Sequence, residues 1–128
     1  MFSDGYSCSQ AVFVPYAEKL GVDGETAGRV ASGFGSGMQT GGVCGVVSGA
    51  FMALGLKFGE NKQASYAKTA DFMERFLNRN PSIECPDLLE ADIRTEEGKA
   101  KIKNESLREN ICSKLVTDAC EILEEMGV

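Results

Sequence analysis

Cys44-Gly-Val-Val-Ser-Gly-Ala-Phe-Met-Ala-Leu-Gly-Leu56 decides the fold. Val46, Val47, Ala50, Phe51, Met52, Ala53 and Leu54 leave no polar face, and a helix apolar all round is a buried one. The run is too long, and too short of alternation, to be a buried strand. Gly45, Gly49 and Gly55 are expected to let neighbouring helices approach closely, and Gly59 to end the element. The spacing therefore predicts a central helix that other helices must wrap. In front of it, Gly33-Phe-Gly-Ser-Gly-Met-Gln-Thr-Gly-Gly-Val43 is rich in glycine, which costs folding entropy and supplies no packing. Such a loop lets backbone approach something closely: a ligand, or the sulfur of Cys44.

Working outward, Ser7-Cys8-Ser9-Gln10 has the form of a capping box, a hydroxyl followed three residues later by Gln. A helix is predicted from there to about Leu20, closed by Gly21, with Pro15 kinking its middle. Asp23 caps a second, shorter helix that fades at Gly33. Beyond the central helix, Lys62 to Asn78 is amphipathic, with Tyr66, Ala70, Met73 and Leu77 on one stripe. Pro86 at a first helical position marks a brief helix after Cys85. Glu90 to Asn104 is polar and reads as a mobile loop with a short helix. Ser106-Leu-Arg-Glu109 is a second candidate capping box, opening a last helix from Leu107 to about Met126. Its apolar stripe includes Ile111, Cys112, Leu115, Val116, Ala119, Ile122 and Leu123. The fold class is all-α, a compact bundle of about five helices with residues 1–128 as one domain.

The 128 residues and 43% apolar content suit one core. Thirteen basic and nineteen acidic side chains give a net charge of −6, which argues against nucleic-acid binding. No apolar run is long enough for membrane insertion, and no export signal opens the chain. The expected location is therefore cytoplasmic, where structural disulfides are uncommon and clustered cysteines point to metal or redox work. A homodimer is an expectation too, because the middle helix is apolar on every face. Histidine is absent, which removes Cys–His and Ser–His pairs, histidine metal ligands and CxxCH haem attachment.

The five cysteines are Cys8, Cys44, Cys85, Cys112 and Cys120. Cys8, Cys44 and Cys85 fall at predicted helix N-termini, where unpaired N–H groups and the helix dipole stabilise a thiolate. The thiolate is the nucleophile and the metal ligand. Cys112 lies on the buried stripe of the last helix. Cys120 follows it by eight residues, roughly 12 Å along the helix, too far for a mutual disulfide. A buried cysteine is also an ordinary small hydrophobe, and Cys120 is read as core.

Two other readings compete for the glycine loop and the thiols. Gly37 to Gly42 has the glycine spacing of a phosphate-binding loop, but Val43 and Cys44 stand where Lys and Ser/Thr are required. Structural zinc sites draw ligands in close pairs such as CxxC, and these cysteines are scattered. A fold can still gather distant thiolates for zinc or an iron–sulfur cluster.

Cys44-Gly-Val-Val-Ser-Gly49 resembles the CGAxxG motif of a family of small bacterial and archaeal proteins named C_GCAxxG_C_C after its cysteine pattern. Gly5-Tyr-Ser-Cys-Ser-Gln-Ala-Val12 is similar to the family's opening Gly-Tyr-Asn-Cys-Ala-Gln-Ala-Val. Cys85 and Cys112 take the places of its third and fourth cysteines. Val46 departs from the family's alanine, and Cys120 has no counterpart. The resemblance implies redox activity. Related domains attached to haem-bearing segments imply an iron–sulfur site as well, although the haem half does not carry over without CxxCH.

Together these readings lead to a cytosolic thiol redox protein that needs no cofactor. Cys44 is its attacking thiolate, and Cys8, Cys85 or Cys112 is the resolving partner. Its counterpart would be a redox partner protein or a small thiol, with activity like that of a thiol–disulfide oxidoreductase. The alternative is a zinc or iron–sulfur protein using Cys8, Cys44, Cys85 and Cys112 as metal ligands. The bland option is a helical binding subunit whose cysteines merely pack.

Overall fold

Ser7 and Gln10 close the capping box expected of them: the Ser7 backbone N–H donates to Gln10 Oε1 at 2.9 Å, and the Ser7 hydroxyl accepts from the Gln10 N–H. In the computed structural model, which describes residues 5–128, this box starts α1 (Cys8–Lys19). Pro15 is carried inside the helix. Asp23 caps α2 (Gly24–Ala31) by accepting from the Thr26 N–H at 3.0 Å. Then come α3 (Gly45–Phe58), α4 (Lys62–Arg79), α5 (Cys85–Leu89), α6 (Glu96–Asn104) and α7 (Ser113–Glu125).

The all-α expectation holds, but the count of about five helices is corrected to seven α-helices among the described residues. Short turns of π type add to these at Gly37–Gly41 and Arg108–Cys112. The surplus lies in α5 and α6, which are short, with α6 locally capped. Thr95, for instance, accepts from the Gly98 N–H at 2.9 Å to start α6 in a polar stretch without an apolar stripe.

The core forms where α1, α4 and α7 gather around α3, with α2 packed against α1. Val46, Val47, Ala50, Ala53 and Leu54 of α3 have no exposed surface, while Phe51 and Met52 are partly buried and Leu56 is exposed. The α1 and α3 backbones touch: a Cβ on Gly49 would stand 2.6 Å from the Ser9 carbonyl oxygen. Ser9 is itself fully buried, and its hydroxyl donates to the Ala31 carbonyl at 2.8 Å, tying α1 to the end of α2. Gly55, by contrast, has nothing near its missing Cβ and is no packing glycine.

Two local expectations change. The buried stripe of α4 is Phe72 and Phe76, stacked at 5.9 Å, with Phe51 of α3 edge-on to Phe72 at 6.1 Å. Tyr66 and Leu77 of the expected stripe face outward, because the two phenylalanines offer more apolar area one residue, about 100°, around the helix. The second capping box does not form: Ser106 takes a left-handed φ of 50°, and the chain enters α7 through the π turn. No helix among the described residues is long and apolar enough to cross a membrane.

Candidate functional site

The starts of α3 and α5 are held side by side by two backbone hydrogen bonds. Cys44 N–H donates to the Ile83 carbonyl at 2.7 Å, and Cys85 N–H donates to the Gly42 carbonyl at 2.9 Å, around an antiparallel bridge between Val43 and Glu84. Cys44 is thus the N-cap of α3, while Cys85 opens α5 with Pro86 behind it. Cys8 is the first residue of α1, and Cys112 ends the π turn that leads into α7. All four are buried, and all four line one cavity of about 50 Å³ together with Ser36, Gly45, Leu88 and Arg108. The space admits a few water-sized groups. Cys120 lies apart on α7, where its carbonyl accepts from the Tyr16 hydroxyl at 2.9 Å.

The glycine-rich loop reaches this cavity by an unusual backbone. Ser36, Gly37, Met38 and Gln39 all have φ between 54° and 62°, in the left-handed region. Three of them are not glycine and bear the steric cost of that conformation, a pattern that clusters at functional sites. The turn sets the Ser36 backbone N–H against the sulfur of Cys8. From the other side Gly45 closes in: a Cβ there would meet Cys8 Sγ at 2.5 Å and the Phe34 carbonyl oxygen at 2.8 Å. The loop therefore serves Cys8 as much as Cys44.

The thiols are not electrostatically alike. Cys8 is lowered to about 6, first because the Cys44 thiol donates a hydrogen bond to it, against the cost of burial. The backbone N–H groups of Ser36 and Ser9 and the charge of Arg108 add to the lowering. Cys44 is pushed far up by donating that same bond and by burial. Burial raises Cys85 to about 11 and Cys112 to about 12. Cys8 and Cys44 titrate as a pair, so that ionisation of one disfavours ionisation of the other.

The structure thus gathers Cys8, Cys44, Cys85 and Cys112, and leaves Cys120 outside. Sequence reasoning passed over Ser36 and Arg108. Arg108 stands four residues before Cys112, a spacing that puts the two on one helix face and could have drawn attention to it. Thiolates are suitable donors for zinc or iron–sulfur clusters. Among the described residues, however, no three cysteine or carboxylate side chains come together closely enough to hold a metal ion. In this arrangement the four thiols do not form a single-ion site.

A family model described as "Putative redox-active protein (C_GCAxxG_C_C)" matches residues 6–126, nearly the whole chain and all four cavity cysteines. No curated protein and no solved structure matches.

Proposed function

The chain belongs to the C_GCAxxG_C_C family, and on that premise we propose that it is a thiol redox protein in which Cys8 and Cys44 cycle between dithiol and disulfide. The observation that carries this reading is that Cys8 and Cys44 line one buried cavity, where the Cys44 side chain is the largest influence lowering Cys8 to about 6. A lowered thiol with a second thiol in the same cavity supplies the attacking and resolving groups that thiol–disulfide exchange requires. The assignment made from sequence alone gave the attacking role to Cys44. The electrostatics favour Cys8 for that role and Cys44 as the proton donor that resolves the mixed disulfide. Cys85 and Cys112 stay protonated beside them and serve as secondary thiols.

The pH profile of alkylation, read at each cysteine by peptide mass spectrometry, tests the assignment. Cys8 should react with a midpoint near 6 while Cys85 and Cys112 lag by several pH units. If neither Cys8 nor Cys44 reacts below the pH of an ordinary thiol, and oxidation forms no Cys8–Cys44 disulfide, the proposal fails.

One observation favours a second reading: four thiols share one cavity. On that reading Cys8, Cys44, Cys85 and Cys112 hold zinc or an iron–sulfur cluster, after the side chains have drawn closer than they stand here. Anaerobic purification with metal analysis separates the readings. Stoichiometric iron or zinc that protects all four thiols from alkylation supports the second; a metal-free protein with a reactive Cys8 supports the first.

A further inference from the structure

Ser36, Ile93 and Ile102 wall the cysteine cavity and also line an open groove of about 560 Å³. The rest of the groove is Gln39, Arg94 and Lys99. The chain carries a net charge of −6, yet every charged side chain lining this groove is a cation. Arg94 is held by Asp92 through contacts at 3.1 and 3.2 Å, which offsets its charge. The ammonium of Lys99 is exposed and has neither a hydrogen bond nor an ion pair among the described residues. Lys103 and Arg108 continue the basic edge in the adjoining recess, where Glu109 is the opposing charge.

A groove of this volume suits a small molecule, whereas the cavity behind it admits only a small part of one. Resting on the redox reading above, we propose that the groove holds the body of an anionic low-molecular-weight disulfide, the oxidant of the Cys8–Cys44 dithiol. Lys99 pairs with its carboxylate or phosphate, Ile93 and Ile102 pack its carbon chain, and its sulfur reaches the cavity. Cys8 thiolate attacks one sulfur, the substrate S–S bond breaks, and the departing thiolate takes the electron pair and a proton from water. Cys44 then loses its proton to water and attacks the Cys8 sulfur, releasing the second thiolate. The Cys8 thiolate and Cys44 thiol together lose two electrons and one proton, and the disulfide becomes one thiol and one thiolate. On a protein that otherwise repels anions, one unpaired lysine at the mouth steers such a molecule to the thiols.

Oxidation rates of the reduced full chain by three probes test this: glutathione disulfide (anionic), bis(2-hydroxyethyl) disulfide (neutral) and cystamine (cationic). Each rate is normalised to that of a free cysteine peptide. Lys99→Glu should slow glutathione disulfide about tenfold, leave the neutral probe unchanged and accelerate cystamine, and salt should erase the differences. Lys99→Gln should fall between the two. A Lys99→Glu protein oxidised by glutathione disulfide at the normalised wild-type rate overturns the groove assignment while leaving the dithiol intact. If no probe forms a Cys8–Cys44 disulfide, the redox reading falls and the groove proposal falls with it.

Discussion

Cys8 Sγ occupies the space that a side chain at Gly45 would fill, with only 2.5 Å between the sulfur and a Cβ built there. The glycine that follows Cys44 is therefore part of the Cys8 site, although it lies on another helix. Gly45→Ala should push the sulfur off its place between the Cys44 thiol and the Ser36 N–H. The Phe34 carbonyl oxygen, 2.8 Å away, blocks relaxation in that direction. The expected results are an alkylation midpoint for Cys8 shifted up toward 9 and a loss of about 1–3 kcal/mol in denaturant stability. An unchanged midpoint would remove Gly45 from the site.

The lowered thiol also makes stability depend on pH. Cys8 titrates at about 6 in the folded chain against 9.0 ordinarily, so the unfolded chain binds more protons between those values. The contribution is fully present above 9 and is lost as pH falls through 6. Stability should rise over this window by up to about 1.4 kcal/mol per pH unit. Cys85 and Cys112 act in the opposite sense. Raised to about 11 and 12, they favour the fold below 9 and withdraw that support as pH climbs through their folded values. Urea melts of the reduced protein from pH 6 to 9 should show the rise, and Cys8→Ser should flatten it.

Met38 and Gln39 hold left-handed φ values of 60° and 61° without being glycine. Replacing Met38, which is half exposed, with glycine relieves the steric cost but enlarges the entropy of the unfolded chain. The first effect, about 1–2 kcal/mol, exceeds the second, about 0.5–1 kcal/mol. Met38→Gly should therefore stabilise the protein by about 0.5–1 kcal/mol in thermal or urea melts without moving the Cys8 midpoint.

Local signals were legible in the sequence and long-range ones were not. Ser7 and Asp23 cap their helices as expected, because a cap depends on residues within one turn of it. Cys8, Cys44 and Cys85 could be named from predicted helix starts, which are local features, and Cys112 from the family's cysteine pattern. Their grouping depends on the pairing of residues 42–44 with residues 83–85, through one bridge between irregular segments some forty residues apart. No periodicity encodes such a contact. The surroundings of Cys8 were hidden for the same reason, since Ser36, Gly45 and Arg108 reach it from other places in the chain.

The stripe of α4 shows how narrow the margin can be. Tyr66, Ala70, Met73 and Leu77 fit a helical period, but Phe72 and Phe76 are the residues with no exposed surface. Phe72→Ala should cost about 3–5 kcal/mol, since it leaves a cavity facing Phe51 and Phe76. Leu77→Ala and Tyr66→Ala, on the outer face, should change stability by no more than about 0.5 kcal/mol. Comparable losses at Leu77 and Phe72 in urea denaturation would mean that α4 is turned the other way.

The glycines of α3 should respond to the same substitution with opposite signs. At Gly49 a methyl group would stand 2.6 Å from the Ser9 carbonyl oxygen and 3.2 Å from its Cα. That neighbour is helix backbone and cannot rotate away, so α1 and α3 would have to separate. Gly49→Ala should therefore cost about 1–3 kcal/mol, or more if the core does not readjust. It should also weaken the Ser9–Ala31 hydrogen bond and raise the alkylation midpoint of Cys8, because Cys8 precedes Ser9 on the displaced helix. At Gly55 nothing lies within 4 Å of the added atom. There alanine only removes backbone freedom from the unfolded chain, and Gly55→Ala should stabilise by about 0.5–1 kcal/mol. Both signs are read from one pair of urea melts, and a stabilising Gly49→Ala would show that α1 does not rest on α3 at this point.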